Sequence, residues 1–224
     1  MDPQPSRKRL PRKVREQQML DAAVQVFSSS GFHATSMDEI AERAQVSKPL
    51  LYLYLGSKEE TFSACIAREA DRLVDTIGAA TRAPADEPGQ RLAQGLTAFF
   101  SYVEANRASW MVLYQQARSQ SGPVAEQLAR ARGEIVDTVT ELVRESLEAD
   151  APGGGRAGYA ALRREAAAIA HALVGAADAL ADWALTVPGE RPETTARRLM
   201  NLMWIGLERR GEGEGSGLPP AAGS

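Results

Sequence analysis

The chain has 224 residues, of which 44% are apolar, a proportion typical of a globular protein. The formal net charge is −3, but residues 1–58 carry an excess of three basic side chains and residues 59–224 an excess of six acidic ones. This asymmetry indicates one domain that contacts phosphates and another that does not. The single cysteine, Cys65, excludes an internal disulfide. With neither a signal peptide nor a membrane span predicted, we expect a cytoplasmic protein.

The N-terminal region begins with a basic, proline-rich stretch. We expect residues 1–11 to form a disordered arm that contacts phosphates, although a solvated tail without a role is the alternative. A first helix is predicted from about Arg12 to Ser30, ending at Gly31. Its apolar residues recur with helical spacing and form one stripe: Met19, Ala22, Ala23, Val26 and Phe27.

Two short helices follow, joined by a tight turn. Ser36 and Glu39 predict a capping box at the start of the first of them. Ser47 is expected to cap the second, which should end at Gly56. Helices this short are not stable alone, so they must pack on the first helix. The arrangement predicts a helix-turn-helix, whose second helix enters the DNA major groove.

At these residues the sequence resembles the DNA-binding domain of the TetR family of transcriptional regulators. The matching steps are Gly31-Phe32, Thr35-Ser36, Ile40-Ala41, Ala44-Gln45-Val46-Ser47, Leu51 to Leu55, and Ser57-Lys58-Glu59. They cover roughly the first quarter of the chain, and their ordered combination is specific. Two positions depart from the family pattern. Gln45 replaces the usual glycine, so a left-handed or bridge backbone conformation costing about 1 kcal/mol is expected there, and Leu55 replaces a usual phenylalanine.

The remainder is predicted to be helical. Ser57 and Glu60 form a second capping box at the start of a long fourth helix. The predicted helices run from Ser57 to about Ala80, Pro88 to about Ala105, Trp110 to Ala117, from after Pro123 to about Ala149, Tyr159 to Thr186, and Glu193 to Arg209. The fold class is therefore all-α, with about nine helices and no strand pattern. The predicted units are a DNA-binding domain over 12–57, a ligand-binding and dimerisation domain over 58–210, and a disordered tail over 211–224.

The ninth predicted helix is apolar nearly all round, which favours deep burial or cover on two sides. The eighth is rich in alanine, which allows another helix to approach closely. The family resemblance implies that these two helices form a four-helix interface in a homodimer, which a reader of palindromic DNA needs. The candidate dimerisation residues are Leu173, Leu180, Trp183, Leu202, Met203 and Trp204. The alternative is that the ninth helix only completes the core of its own protomer.

Aromatic residues cluster on the fifth and sixth predicted helices. They could serve only as core, or they could line a ligand cavity between helices. The candidate ligand-binding residues are Tyr102, Trp110, Tyr114, Gln115 and His171. His171 is flanked by alanines on an apolar helix, a pattern more typical of a buried core histidine. The resemblance adds the expectation of a small-molecule effector, and the apolar setting favours a mainly hydrophobic or aromatic one.

The resemblance implies a regulator that binds a palindromic operator in double-stranded DNA. The candidate DNA-binding residues are Thr35, Ser36, Val46, Ser47, Lys48, Pro49, Leu50, Tyr52, Tyr54 and Lys58. The hydroxyls of Thr35, Ser36 and Ser47 are expected to donate to phosphates. Tyr52 and Lys58 match family positions that hold the DNA backbone, whereas Lys48 and Tyr54 are placed for base edges.

The prediction is thus a dimeric repressor that an apolar effector releases from its operator. The alternatives are an activator or a DNA-binding protein without a small-molecule input, and a helical enzyme or adaptor with a non-functional head. Enzyme chemistry has little support, because His33 and His171 lie in different predicted domains. Neither metal-ligand spacing nor a phosphate-binding glycine loop is present, so no metal or cofactor is predicted.

Overall fold

The computed structural model describes residues 11–85, 87–116, 122–150 and 156–211. This part of the chain is all-α and contains no strand. Its helices are α1 Arg12–Ala34, α2 Met37–Arg43, α3 Lys48–Leu55, α4 Lys58–Thr81, α5 Pro88–Ala105, α6 Arg107–Trp110, α7 Pro123–Asp150, α8 Arg156–Ala184 and α9 Pro192–Gly211. None of the described helices combines the length and apolar character that crossing a bilayer requires.

The head comprises α1, α2 and α3. Gly31 has φ +78° and breaks α1, which continues for one further turn to Ala34. In the turn after α2, Gln45 has φ +55°, so of the two conformations expected at this position the backbone adopts the left-handed one. Hydrogen bonds from Gln45 N to Glu42 O at 3.0 Å and from Val46 N to Ala41 O at 3.0 Å close the end of α2.

The capping predictions have mixed outcomes. The Ser57–Glu60 box is confirmed: the Ser57 N–H donates to Glu60 Oε2 at 2.7 Å, and the Glu60 N–H donates to Ser57 Oγ at 3.1 Å. The predicted box at Ser36 is only half formed. The Glu39 N–H donates to Ser36 Oγ at 3.2 Å, but the Glu39 carboxylate accepts from Ser30 Oγ at 3.4 Å instead of turning back.

Ser47 holds the N-cap position of α3, but within the described residues its hydroxyl caps no backbone N–H. The prediction of a side-chain cap was therefore wrong. Pro49, at the second helical position, has no N–H to donate, which removes one of the two usual partners of a capping hydroxyl. The Ser47 hydroxyl stays exposed on the surface of the head.

Two hydrophobic clusters hold the molecule together, and α4 contributes to both. Its first half supplies Phe62, Cys65 and Ile66 to the head cluster, which also contains Phe27, Ile40 and Leu51. Its second half supplies Leu73 and Ile77 to the body cluster, formed with α5, α7, α8 and α9. The part of the chain after α4 is called the body, and its Val112, just after α6, is fully buried in the head cluster. The predicted boundary between residues 57 and 58 therefore passes through a continuous apolar core.

The body differs from the sequence expectation at its sixth helix. A single helix was predicted from Trp110 to Ala117, whereas α6 ends at Trp110 and a π-helical segment, Met111–Gln116, continues from it. Asn106 separates α5 from α6 with φ −126° and ψ 49°, and its side chain donates to Tyr102 O at 2.9 Å. By contrast, α5 has the predicted bounds.

Candidate nucleic-acid interface and effector cavity

The recognition helix α3 has one buried and one exposed face. Leu51 and Leu55, one turn apart, point into the head cluster. The exposed face carries Lys48, Pro49, Tyr52 and Leu53, just after the exposed Ser47. A helix surface with two polar and two apolar side chains can contact both the polar base edges and the thymine methyl groups of a major groove.

Sequence reasoning missed Leu53, which is 73% exposed. A large apolar side chain left in water on this helix has no role in the protomer's packing. The signal was present in the spacing, because inward-facing residues at 51 and 55 force position 53 outward. Pro49 and Tyr52 are also exposed, whereas Leu50 and Val46 lie half-buried against the head cluster.

Lys48 makes a surface ion pair with Asp38 of α2, with 2.9 Å between Nζ and Oδ2. The hydrogen bond to Asp38 and the charge of that carboxylate raise the pKa of Lys48 above its ordinary value. Both side chains are at least half exposed, so the pair contributes little to stability and can be exchanged for another acceptor. Lys48 therefore remains placed for a base edge or a phosphate.

Two predicted phosphate contacts, Thr35 and Lys58, have internal partners instead. Thr35 is only 3% exposed, and its hydroxyl donates to Gly31 O at 2.7 Å. The Lys58 ammonium donates to Phe32 O at 3.0 Å, His33 O at 3.3 Å and Thr35 O at 3.1 Å. It also lies 4.7 Å from the centroid of the Phe32 ring. All three ammonium hydrogens are thus directed at the end of α1, which is a correction to the expected roles of both residues.

The remaining predicted contacts differ in accessibility. Ser36 is exposed, and its hydroxyl oxygen accepts from the Glu39 N–H, which leaves its hydrogen for an outside acceptor. Tyr54 is half-buried against the head cluster, and the Arg12 guanidinium carbon lies 5.4 Å from its ring centroid. This cation–π contact ties the start of α1 to the recognition helix.

A cavity of about 410 Å³ lies in the body between α4, α5, the π-helical segment, α7 and α8. Its wall is mostly apolar, a composition typical of small-molecule sites; it includes Leu73, Leu92, Phe99, Trp110, Val139 and Leu173. Among the described lining residues, the charged side chains are Arg132 of α7 and Asp178 of α8, which form an ion pair. A ligand would therefore meet a mostly apolar chamber, with one ion pair on the part of its wall that the structure describes.

Only some of the predicted ligand-binding residues line the cavity. Trp110 and Tyr114 line the cavity and stack with ring centroids 4.7 Å apart. Trp110 also donates from Nε1 to Asp182 Oδ1 at 2.9 Å. Tyr102 is buried outside the cavity wall, where its hydroxyl bonds to Glu69. The side chain of Gln115 lies outside the described residues.

His171 is exposed on α8 and does not line the cavity, so neither a ligand contact nor the expected core position is supported. The reason is that α8 turns Ala170 and Leu173 inward and the two side chains between them outward. Sequence reasoning missed Arg132 and Asp178. A signal existed at Arg132, which interrupts the apolar stripe that Leu128 and Ile135 define on α7.

The predicted dimerisation residues that the structure describes separate into three groups by exposure. Leu173 is 4% exposed and lies in the protomer's own core, a correction that follows from its position on the cavity wall. Trp183 and Leu202 are 43% and 69% exposed on α8 and α9. Leu180 and Met203 are half-buried against the body cluster. The side chain of Trp204 falls outside the described part of the chain.

Two family models match this chain. The model described as "Bacterial regulatory proteins, tetR family" matches residues 19–65, and "Tetracyclin repressor-like, C-terminal domain" matches residues 88–206. Together they cover more than half of the chain. The first match spans the helix-turn-helix and the start of α4, and the second spans most of the body.

Individual relatives are also similar. FasR of Mycolicibacterium smegmatis, an HTH-type transcriptional activator, is 38% identical over 135 residues, which are 60% of this chain and 61% of FasR. The chain thus aligns with about three fifths of the length of that relative. The structure of FadR from Bacillus subtilis in complex with stearoyl-CoA covers 84% of this chain and 96% of its own, with a TM-score of 0.69. At 16% identity, it shows a shared fold alone.

A higher identity is found with a crystal structure of a TetR-like transcriptional regulator from Rhodococcus sp. RHA1. The two sequences are 42% identical, the alignment covers 89% of this chain and 99% of that chain, and the TM-score is 0.74. Because the family models match both the head and the body and this relative aligns over nearly its whole length, the chain belongs to the TetR family of DNA-binding transcriptional regulators.

Proposed function

We propose that the protein is a homodimeric repressor that binds a palindromic operator and is released from it by a small, mainly apolar effector. The observation that carries this proposal is the double role of α4. Its first half completes the core of the head, and its second half forms a wall of the cavity through Leu73 and Ile77. A molecule that displaces this wall changes the placement of the recognition helix.

DNA binding is supported by the exposed face of α3. Lys48 and Tyr52 supply polar groups, whereas Pro49 and Leu53 supply apolar surface for thymine methyl groups. Lys48→Ala should change sequence preference, because it removes a base-edge donor. Tyr52→Phe should weaken binding by a similar factor on all sites, because it removes a backbone contact. Operator selection followed by fluorescence anisotropy separates these outcomes, and equal losses on all sequences for Lys48→Ala would contradict its assignment.

Dimerisation is supported by the apolar side chains exposed on α8 and α9, above all Leu202 and Trp183. Association would remove them from water, and a symmetric pair of heads matches two operator half-sites. In analytical ultracentrifugation, Leu202→Glu should shift the dimer toward monomer. Leu53→Glu is the matched control, because it places the same charge on a similarly exposed leucine on the recognition helix. A dimer unaffected by Leu202→Glu would argue against this interface.

The effector proposal follows from the cavity. Its apolar wall favours a ligand with a large hydrocarbon or aromatic part, and the Arg132–Asp178 pair offers one donor and one acceptor for a polar group. Calorimetric titration with long-chain acids, alcohols and acyl thioesters, each followed by operator release, tests this proposal. Ala177→Phe, which places a ring inside the cavity, should abolish ligand binding and preserve operator binding. Retained ligand binding in that variant would move the effector to another site.

Repression requires only occupancy of a promoter, which is why we favour it. Activation is a second candidate, because FasR is named as an activator. A reporter placed under the selected operator distinguishes the two: deletion of the regulator raises expression if it represses and lowers expression if it activates.

A further inference from the structure

One buried carboxylate lies between the head and the body. Glu69 of α4 has a side chain with no solvent exposure, and it stands at the point where α4 passes from the head cluster to the body cluster. A buried charge is costly unless it is paired and fully hydrogen-bonded. The partners of its two oxygens therefore show what the residue holds in place.

The Oε1 atom of Glu69 faces the head. It accepts from Arg68 Nε at 2.7 Å and from Arg72 Nη1 at 3.2 Å. The Arg68 guanidinium also contacts α1. Its Nη1 donates to the backbone oxygen of Gln17 at 3.1 Å and lies 2.8 Å from Asp21 Oδ1. The Arg68 side chain is itself 10% exposed, whereas the Asp21 carboxylate at the α1 end of the link is 60% exposed.

The Oε2 atom of Glu69 faces the body and accepts from the Tyr102 hydroxyl of α5 at 3.1 Å. Burial and the Glu69 charge raise the pKa of Tyr102 above its ordinary range, so the phenol stays protonated as a donor. The nearby Ser109 hydroxyl of α6 acts in the opposite direction and lowers the pKa of Tyr102. The Glu69 carboxylate thus joins Arg68, which is bonded to α1, to Tyr102 of α5.

Helices α4, α5 and α6 also form the part of the cavity wall that lies next to Glu69, Tyr102 and Ser109. Ala70 follows Glu69, Phe99 lies one turn before Tyr102, and Trp110 follows Ser109; all three line the cavity. A ligand that moves α5 relative to α4 therefore acts directly on the Tyr102–Glu69 hydrogen bond.

We propose that Tyr102, Glu69 and Arg68 are positioning residues that transmit the state of the cavity to α1 of the head. This inference rests on the proposed effector control and names its route. Loss of the Tyr102 hydrogen bond leaves a buried carboxylate with fewer donors, and Glu69 must then turn toward Arg68 and Arg72. Because Arg68 is bonded to the backbone of α1, that rearrangement shifts α1 and the recognition helix packed beside it.

The first test needs no ligand. Tyr102→Phe removes one hydroxyl and keeps the buried ring. In hydrogen–deuterium exchange, amides of α1 around Gln17 and Asp21 should exchange about tenfold faster than in the wild type. Tyr159→Phe is the matched control, because it removes the hydroxyl of an exposed tyrosine on α8 and should change nothing in α1. If Tyr102→Phe does not fold, Asp21→Asn at the exposed end of the link should give the same change.

The second test measures coupling. Operator affinity is compared with and without saturating stearoyl-CoA, and binding of stearoyl-CoA itself is measured separately. Allosteric couplings are commonly about 5- to 150-fold, and Tyr102→Phe should reduce the wild-type ratio to about twofold while stearoyl-CoA still binds. Unchanged exchange in α1, or a coupling ratio equal to that of the wild type, would overturn the route. A wild type that does not respond to stearoyl-CoA counts against that effector class, and the exchange experiment alone then decides on the route.

Discussion

Lys58 offers a direct way to distinguish a structural role from a DNA-contacting role. Lys58→Met keeps the length of the aliphatic chain and removes the ammonium, so the carbonyls of Phe32, His33 and Thr35 lose a shared donor. A hydrogen bond to a charged group contributes about 1.5–3 kcal/mol, but water replaces part of it at a half-exposed site. The cation–π contact with Phe32 adds about 0.5–1 kcal/mol. We therefore expect a loss of about 2 kcal/mol in the free energy of unfolding.

In a domain of this size, that loss corresponds to a decrease in Tm of roughly 4–8 °C. Calorimetry without DNA measures it, with Lys48→Met as the control, because that substitution breaks only an exposed ion pair and should leave Tm nearly unchanged. The salt dependence of operator binding gives an independent readout. Loss of one phosphate contact changes the slope of log K against log salt by about 0.9. A normal Tm together with a reduced slope for Lys58→Met would refute the structural role and restore the phosphate contact.

Three further outcomes are expected. Burial raises the pKa of the Cys65 thiol to about 12, so only about one thiol in 10⁴ is ionised at pH 8, and a disulfide reagent should modify it only after denaturation. The hydrogen bond from the Ser57 backbone holds the pKa of Glu60 below its ordinary 4.5. The ionised Glu60 carboxylate therefore stabilises the fold above that pH, and this contribution is lost as the pH falls and the carboxylate is protonated. The Tm difference between wild type and Glu60→Gln should accordingly shrink as the pH falls below 4.5. Leu53→Ala should leave Tm unchanged but weaken operator binding, since its side chain lies in solvent.

Local sequence signals predicted the backbone well. Pro88 and Asn106 mark the ends of α5, and both ends are where the pattern placed them. Gln45 adopts the left-handed conformation that its position in the turn requires. These features depend on residues within a few positions of each other, so the sequence contains the information directly.

Side-chain roles were less predictable, because they depend on partners that are distant in sequence. Lys58 binds carbonyls more than twenty positions earlier, and Arg68 reaches Gln17 from the middle of α4. Similarity to a family pattern predicts where a residue such as Lys58 lies in the fold. It does not predict which acceptors within the chain compete with a phosphate for its hydrogen bonds. The cavity shows the same limit: Trp110 and Tyr114 were recognised from their aromatic character, but Arg132 and Asp178 are brought together only by the packing of α7 on α8.

The shared hydrophobic core of α4 has a consequence for dissecting the protein. A fragment cut after Gly56 would lose Phe62, Cys65 and Ile66 and would leave Phe27 and Leu51 facing water. Even a longer fragment that keeps all of α4 would lack Val112. Domain exchange between relatives should therefore succeed only when the residues on both sides of this junction are transplanted together, so the head and the body must evolve as one folding unit.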